Sequence, residues 1–308
     1  MKLIATVILG WVARRKTNKF LSQLKNYQIN SQIALDTDFF LVSAFDTDTR
    51  NIIEQGVPEL PAMQLIIDSL LQSNPRVFEN STAIDIGANY GSYSLFLSRH
   101  FNRVISYECH PQTFRYLSIN LEGKSNIVCR ELAISNSEGE DRIYQYNPLH
   151  SGASTLQVNF KSEASPLVYK ILKTSLDSEM KIAEFNQRIG LIKLDVEGHE
   201  YEALSGAIET INKFHPPIIF EFNQVAEKNQ QLLDLLVAIG YKHFKIPPTC
   251  IISSSSKHEM FTYLASKKNP IKEFFRIYAG TELLEFDQFT LPKRSELVLT
   301  VYSNEKQD

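Results

Sequence analysis

The chain has 308 residues, of which 43% are hydrophobic and 22% are charged, and its formal net charge is −3. These values are typical of a soluble chain with one large domain or one and a half. The charge gives no basic footprint, so we expect no nucleic-acid partner. Cys109, Cys129 and Cys250 show no metal-binding spacing, which favours a reducing, cytoplasmic location over a disulfide framework.

The first 80 residues show no glycine turn of the nucleotide-binding kind, and we predict an N-terminal extension of helices and a hairpin over 1–80. Within it, apolar residues recur at helical spacing from Leu3 to Val12, and a basic cluster follows. The apolar run is too short to span a bilayer. We predict a helix packed on the protein body; a membrane-surface helix over 1–19, with Trp11 at the headgroups, is the alternative.

Two acidic triplets in this extension allow a different function. Asp36-Thr-Asp38 and Asp46-Thr-Asp48 have the D-x-D pattern with which glycosyltransferases hold a metal and a sugar nucleotide. In a polar region such pairs are more often solvated turns, and we favour that interpretation. A helix over 62–72 is predicted to close the extension.

The most informative stretch is 82–91, Thr-Ala-Ile-Asp-Ile-Gly-Ala-Asn-Tyr-Gly. A short apolar run predicts a buried strand, which ends at Gly87, and the apolar spacing after Gly91 predicts a helix. Strand, glycine turn and helix open a nucleotide-binding α/β unit. The dinucleotide pattern G-x-G-x-x-G is absent, because the spacing is Gly87-x-x-x-Gly91 with Asp85 at the strand end. S-adenosylmethionine, a cation without phosphate, suits this acidic turn better.

A second acid supports a nucleotide site. The predicted strand 103–108 ends in Glu108, 21 positions after Gly87. In α/β nucleotide folds an acid at about that distance binds the ribose hydroxyls. The alternative is an ordinary turn with a surface glutamate, which the combination of both features disfavours.

Strands and helices then alternate along residues 81–308. This alternation predicts an α/β fold with a doubly wound, Rossmann-like, mostly parallel sheet. Two insertions interrupt it, at about 133–176, where a hairpin is expected, and at about 247–293, before the last strand. The predicted strands are 82–87, 103–108, 127–132, 190–195, 217–222, 241–246 and 296–302, and the predicted helices are 91–100, 111–122, 199–212 and 227–239.

Titratable residues follow the strand 190–195 in close succession. Asp195, Glu197, His199 and Glu200 fall within six residues. Because ligands bind beyond the carboxyl ends of such strands, we expect Asp195 in the same crevice as Asp85 and Glu108. These groups offer a general base or ligands for a divalent cation. A helix N-terminus also favours carboxylates, which is the competing explanation for Glu200.

Together these motifs resemble the FkbM family of S-adenosylmethionine-dependent methyltransferases, over about residues 80–224. The resemblance rests on Asp85-Ile-Gly-Ala-Asn-Tyr-Gly91, on Glu108, on Thr174-Ser-Leu-Asp177 and on the block Lys193-Leu-Asp-Val-Glu-Gly-His-Glu200. The family often has Glu-Pro after the second strand, whereas Glu108 is followed by Cys109-His110-Pro111. That departure leaves the ribose contact but alters the wall expected beside the adenine.

The resemblance implies a class I methyltransferase fold and an O-methyltransferase acting on a hydroxyl of a glycan or secondary metabolite. It implies that Asp85, Gly87, Asn89 and Gly91 hold the methionine part of the cofactor and that Glu108 holds the ribose; Ala88 and Ala133 are also predicted as cofactor contacts. From the residues themselves we predict that the catalytic residue is Asp195, supported by His199 and Glu197, with His199 as the alternative base. No metal ligands are assigned, although Asp195 with Glu221 and Asn223 leaves magnesium open. A nicotinamide-dependent oxidoreductase and a non-catalytic binding protein on the same fold are the alternatives. The acceptor and the oligomeric state are not predicted.

Overall fold

The computed structural model describes residues 40–42, 60–147, 152, 154–157, 165–182, 187–223, 229–241, 243–245 and 274–280. The strands are β1 (Ser81–Ile86), β2 (Arg103–Tyr107), β3 (Ile127–Arg130), β4 (Ala133–Ile134), β5 (Gly139–Gln145), β6 (Leu167–Thr174), β7 (Arg188–Leu194), β8 (Ile218–Asn223), β9 (His243–Lys245) and β10 (Phe274–Gly280). The helices are α1 (Leu60–Ser73), α2 (Ser92–Leu97), α3 (Pro111–Asn120), α4 (Leu176–Ile182), α5 (Glu200–Ser205), α6 (Ile208–Phe214) and α7 (Asn229–Ala238).

A seven-stranded sheet forms the centre, in the order β3-β2-β1-β7-β8-β10-β9. Strands β1, β2, β3, β7 and β8 are parallel, and β10 runs antiparallel to both of its neighbours. The order reverses between β1 and β7, which places a crevice at the carboxyl ends of these two strands. The predicted α/β class and mostly parallel sheet are confirmed.

Alternate residues of β1 face two separate hydrophobic layers, because side chains alternate across a strand. Ala83 packs with residues of α1, α2 and α3 on one side, and Ile84 packs with residues of α4 to α7 on the other. All six residues of β1 are buried, as expected of a central parallel strand. Since α1 shares the first layer, residues 60–73 pack directly on the sheet.

A three-stranded sheet, in the order β4-β6-β5, occupies the insertion predicted at about 133–176. Strands β5 and β6 pair antiparallel along their full length, from Gly139 opposite Lys173 to Gln145 opposite Leu167. The hairpin expected in this insertion is therefore present.

The structure differs from the predictions in two places. The predicted helix 199–212 is broken into α5 and α6 around Gly206. There the backbone lies so close to Ser135 that a Cβ on residue 206 would be 1.9 Å from the Ser135 carbonyl oxygen. The prediction of an irregular segment is wrong for Phe274–Gly280, which forms β10 and pairs with β8. The predicted strand 296–302, the helix within 1–19 and both D-x-D triplets lie outside the described residues. The division into domains at residue 80 stays a prediction.

Candidate functional site

The glycine turn after β1 is fixed by backbone contacts with both neighbouring strands. The N–H groups of Gly87 and Ala88 both donate to the Tyr107 carbonyl oxygen, each at 2.9 Å. Gly87 has a φ of +77°, and a Cβ at this position would lie 1.8 Å from the carbonyl oxygen of Asp195. Only glycine fits this position, because both the backbone angle and the close approach exclude a side chain. The turn and the end of β7 are therefore in direct contact.

Asp85 lies below this turn at the centre of a buried polar chain. The Ser106 hydroxyl donates to Ser94 Oγ at 2.8 Å, and the Ser94 hydroxyl donates to Asp85 Oδ2 at 2.6 Å. Asp85 Oδ1 lies 3.2 Å from Lys193 Nζ, and the two side chains are 0% and 3% exposed. Parallel register brings these groups together, because Asp85 is opposite Ser106 on β2 and opposite Lys193 on β7.

Lys193 connects Asp85 with the rest of the site. Its ammonium donates to the Gly87 carbonyl oxygen at 2.8 Å and lies 3.7 Å from Asp195 Oδ2. The Tyr93 ring centroid lies 5.0 Å from the same ammonium. Two carboxylates thus face one ammonium, which leaves an excess of negative charge beside the turn when both are ionised. No role was predicted for Lys193 from the sequence, although Lys193 is the first residue of the block that carries the family resemblance.

Glu108 follows β2 and holds the far side of the turn. Its Oε2 accepts from the Asn89 N–H at 3.0 Å, and its Oε1 accepts from the His110 N–H at 2.7 Å. Burial raises the pKa of Glu108, and these two N–H groups oppose that shift. Asn89 has a φ of +50°, and its buried Oδ1 makes no hydrogen bond within the part of the chain that the structure describes. An acceptor oxygen left in this way fits a ligand that donates a hydrogen bond.

The other predicted cofactor residues have distinct environments. Ala88 is buried within the turn. Gly91 has a φ of +94°, which favours glycine, and a Cβ there would lie 2.9 Å from Leu117 Cδ1 on α3, so backbone conformation and helix packing explain the glycine without a cofactor. Ala133 is buried in β4 among apolar residues that also contact Cys109. Their contact with a cofactor stays a prediction.

Asp195 is the predicted catalytic group that the structure places nearest the turn. It directly follows β7, its N–H donates to the Ile86 carbonyl oxygen at 3.0 Å, and its side chain is 20% exposed. The carboxylate is thus anchored at the crevice and still reaches solvent. Such a position suits a group that must meet a substrate.

Glu197 and Gly198 form a sharp turn with φ values of +50° and +90°. The Thr155 hydroxyl donates to the Glu197 carbonyl oxygen at 2.9 Å, and the Gln157 amide donates to the Gly198 carbonyl oxygen. Two residues from the insertion thus hold the turn that follows Asp195. No sequence signal pointed to Thr155 or Gln157.

Glu200 closes the same turn from the other side. Its Oε1 accepts from the N–H groups of Val196 and Gly198, both at 3.2 Å, and burial raises its pKa. Glu200→Ala should lower the free energy of unfolding by about 1–3 kcal/mol, because two partly buried donors lose their acceptor. Glu200→Gln keeps an acceptor oxygen in place, so its free energy of unfolding should fall less than that of Glu200→Ala. Denaturant unfolding of both variants tests this, and equal stability of wild type and Glu200→Ala would contradict it.

His199 lies at a buried position beside the turn. Its Nε2 is 3.0 Å from Ser135 Oγ, and its Nδ1 is 3.8 Å from Glu202 Oε2. Both ring nitrogens therefore have a neighbour within the protein, which favours a role in fixing the insertion against α5. Asp195 is the more accessible base of the two.

Metal binding and thiol chemistry can be considered only for the residues that the structure describes. Across the described residues there is no group of three or more His, Cys, Asp or Glu side chains arranged to hold a metal ion. The side chains of Glu221 and Asn223 lie outside the described residues, so the magnesium hypothesis is untested. Burial raises the pKa of the Cys109 thiol well above its usual value, and the nearby Glu108 adds to the shift. At neutral pH this thiol is protonated and a poor nucleophile.

The fold and the acidic crevice define a Rossmann-like α/β protein of the class I methyltransferase type. The Methyltransferase FkbM domain model matches residues 85–267, and the chain belongs to the FkbM methyltransferase family. In the part of the chain that the structure covers, no helix is both long and apolar enough to cross a membrane.

Two curated relatives match part of the chain. The hexuronic acid methyltransferase AglP of Haloferax volcanii is 26% identical over 138 residues, which cover 44% of this chain and 54% of AglP. Methyltransferase 1 of Beauveria bassiana is 22% identical over 147 residues, covering 42% of this chain and 59% of that protein. The chain thus spans a little over half the length of these relatives.

Solved structures with a similar arrangement include three proteins. An FkbM methyltransferase from Methylobacillus flagellatus KT has 15% identity and a TM-score of 0.40, with 77% of this chain and 62% of that chain covered. The METTL16 methyltransferase domain has 10% identity and a TM-score of 0.46, with 84% and 80% covered. Fibrillarin of Aeropyrum pernix, solved with S-adenosyl-L-methionine, has 11% identity and a TM-score of 0.37, with 72% and 74% covered.

Proposed function

We propose that this methyltransferase uses S-adenosylmethionine to methylate a hydroxyl group of a glycan or a secondary metabolite. The observation that carries the proposal is the crevice at the reversal of strand order, where Asp85, Glu108 and Asp195 meet around the Gly87 turn. The glycine spacing of this turn, Gly87-x-x-x-Gly91, lacks the middle glycine of a dinucleotide site, which argues against a nicotinamide-dependent oxidoreductase.

The residues present fit this cofactor. The buried Asn89 Oδ1, which accepts no hydrogen bond from the described residues, and the Glu108 carboxylate offer acceptors for hydroxyl and ammonium donors. Gly87 leaves the backbone uncovered at the turn, and the excess negative charge around Lys193 favours a cation. When bound, the cofactor supplies an electrophilic methyl group on its sulfonium. Asn89 and Glu108 are the residues that would hold it, and Asp85, fully buried below the turn, would contribute through its charge and by positioning Lys193.

The protein must then position an acceptor oxygen and remove its proton, because an aliphatic hydroxyl is a very weak acid. Asp195 is the proposed base, since its carboxylate is anchored by β7 and partly exposed at the crevice. Thr155, Gln157 and Glu200 keep the following turn in place, so Glu197 borders the position of the acceptor.

A glycan acceptor is favoured over other alcohols by the likeness to AglP, a hexuronic acid methyltransferase of which this chain matches about half.

Labelled methyl transfer from S-adenosylmethionine tests the proposal, with uronic acids, neutral sugars and small alcohols as acceptors. Transfer to a hydroxyl oxygen, located by mass spectrometry of the product, is the expected result. Transfer to the carboxylate of the uronic acids only, or transfer to none of these acceptors, would contradict it. A parallel assay with EDTA tests the magnesium hypothesis, and we expect activity to persist.

Glu108→Ala should weaken S-adenosylmethionine binding by about 1–3 kcal/mol, the usual loss for a hydrogen bond to a charged group. Calorimetric titration measures it, with Glu122→Ala, an exposed glutamate beyond α3, as the matched control. Unchanged affinity in Glu108→Ala would remove Glu108 from the binding site. Gly87→Val is a poor test, because the new side chain would collide with the Asp195 carbonyl and disturb the fold.

A further inference from the structure

The three-stranded sheet turns one side toward solvent. Strand β5 pairs Arg142 with Lys170 and Tyr144 with Val168, so these side chains share one face of the sheet. The opposite face carries buried residues such as Ile143. Because side chains alternate along each strand, the residues two positions further on join the exposed face. We call it the outer face, and it consists of Glu140, Arg142, Tyr144, Tyr146, Val168, Lys170 and Leu172.

The outer face combines apolar, aromatic and basic groups. Val168 is 48% exposed and Leu172 is 55% exposed, which is high for aliphatic residues in a paired strand. The rings of Tyr144 and Tyr146 stack with centroids 6.5 Å apart and an angle of 26° between planes. An exposed patch of this kind indicates an interaction surface.

The outer face also borders the turn formed by Glu197 and Gly198. Tyr144 forms an isolated antiparallel bridge with Thr155, and paired residues in such a bridge direct their side chains to the same face. The Thr155 hydroxyl on that face donates to the Glu197 carbonyl oxygen at 2.9 Å. A ligand on Tyr144 would therefore lie next to the turn that follows Asp195.

The charge and shape of the outer face indicate which kind of ligand would bind there. Arg142 and Lys170 are directly opposite each other, and like charges in that relation destabilise a strand pair. Glu140, opposite Leu172, is the nearest carboxylate on this face by register, so two basic groups face one acidic group and an anionic ligand would offset the remaining positive charge. Stacked tyrosines give a flat apolar surface with polar edges, which suits the C–H face of a sugar ring. We propose that the outer face is an acceptor subsite for a glycan containing uronic acid, an inference that rests on the proposed methyl transfer.

Calorimetric titration of the full chain with a linear tetramer of galacturonic acid tests the inference, with the galactose tetramer as the neutral counterpart. We expect the acidic tetramer to bind and the neutral one to bind more weakly. The double variant Arg142→Gln/Lys170→Gln should bind the acidic tetramer about tenfold more weakly, a loss typical of two exposed ion pairs. Arg115→Gln, an exposed cation on α3, is the matched control and should change nothing.

Tyr144 provides a second variant pair. Tyr144→Ala should weaken binding of both tetramers, whereas Tyr144→Phe keeps the ring and should retain binding. Unchanged affinity in the double variant, or no tetramer binding by the wild type, would overturn the inference. A dimer of the wild type that Leu172→Glu dissociates would also overturn it, since a second copy would then cover this face. The sugar titrations need no cofactor, so their outcome is separate from S-adenosylmethionine binding, on which the proposed function depends.

Discussion

Asp195→Asn should lower kcat about 10²–10⁴-fold, the usual loss when a general base is removed. The asparagine keeps the shape of the side chain and leaves the Asp195 N–H bond to Ile86 unchanged. It removes the basicity that accepts the hydroxyl proton. Cofactor affinity should change far less than turnover, because Asn89 and Glu108 remain in place. Single-turnover methyl transfer with a true acceptor, beside a cofactor titration, separates the two effects.

His199→Gln is the comparison for this experiment. The ring nitrogens of His199 lie near Ser135 and Glu202, so its replacement should affect turnover less than Asp195→Asn. Normal turnover in Asp195→Asn together with a large loss in His199→Gln would reverse the assignment of the base.

Lys193→Met should lower the free energy of unfolding by about 3–5 kcal/mol, the typical result of removing one partner from a buried ion pair. The variant leaves Asp85 fully buried without its ammonium and removes the hydrogen bond to the Gly87 carbonyl. Denaturant unfolding measures the loss. Lys124→Met, at a less buried lysine beyond α3, is the control and should have little effect.

The double variant Asp85→Asn/Lys193→Met makes this prediction specific. If the loss arises from the uncompensated Asp85 carboxylate, removing that charge as well should restore part of the stability. Simple addition of the two single-variant losses would instead show that Asp85 and Lys193 stabilise the fold independently, and the buried ion pair would then not explain the effect.

Much of the site was predictable because it depends on local sequence and on one topological rule. Each of three apolar strands is followed directly by a residue of another kind: Gly87 after β1, Glu108 after β2 and Asp195 after β7. The rule that ligands lie at the carboxyl ends of parallel strands then gathers them in one crevice. The structure places Asp85, Glu108 and Asp195 around one turn, as expected.

The contacts that were missed join residues far apart in sequence. Lys193 reads as part of a motif, and only the register between β1 and β7 shows that its ammonium neutralises Asp85. The same holds for Thr155, whose bond to Glu197 depends on how the insertion folds back. Gly206 fits a continuous helical pattern, and its break follows from contact with the Ser135 backbone. Tertiary contacts of this kind leave no local pattern.

The antiparallel strand β10 was missed for a different reason. Phe274–Gly280 has an aromatic and aliphatic pattern compatible with a strand, but 296–302 has a richer run of Leu, Val and Thr. Propensity therefore favoured the later segment, which lies outside the described residues, and no strand was predicted for 274–280, which forms β10 between β8 and β9.

The turn between β1 and α2 is the proposed binding site for S-adenosylmethionine, and the methyl transfer depends on it. Calorimetric titration of the full chain with S-adenosylmethionine and, separately, with NAD tests this site most directly. We expect saturable binding of S-adenosylmethionine that weakens in Glu108→Ala, and no comparable binding of NAD. Binding of NAD with none of S-adenosylmethionine would contradict the proposed cofactor.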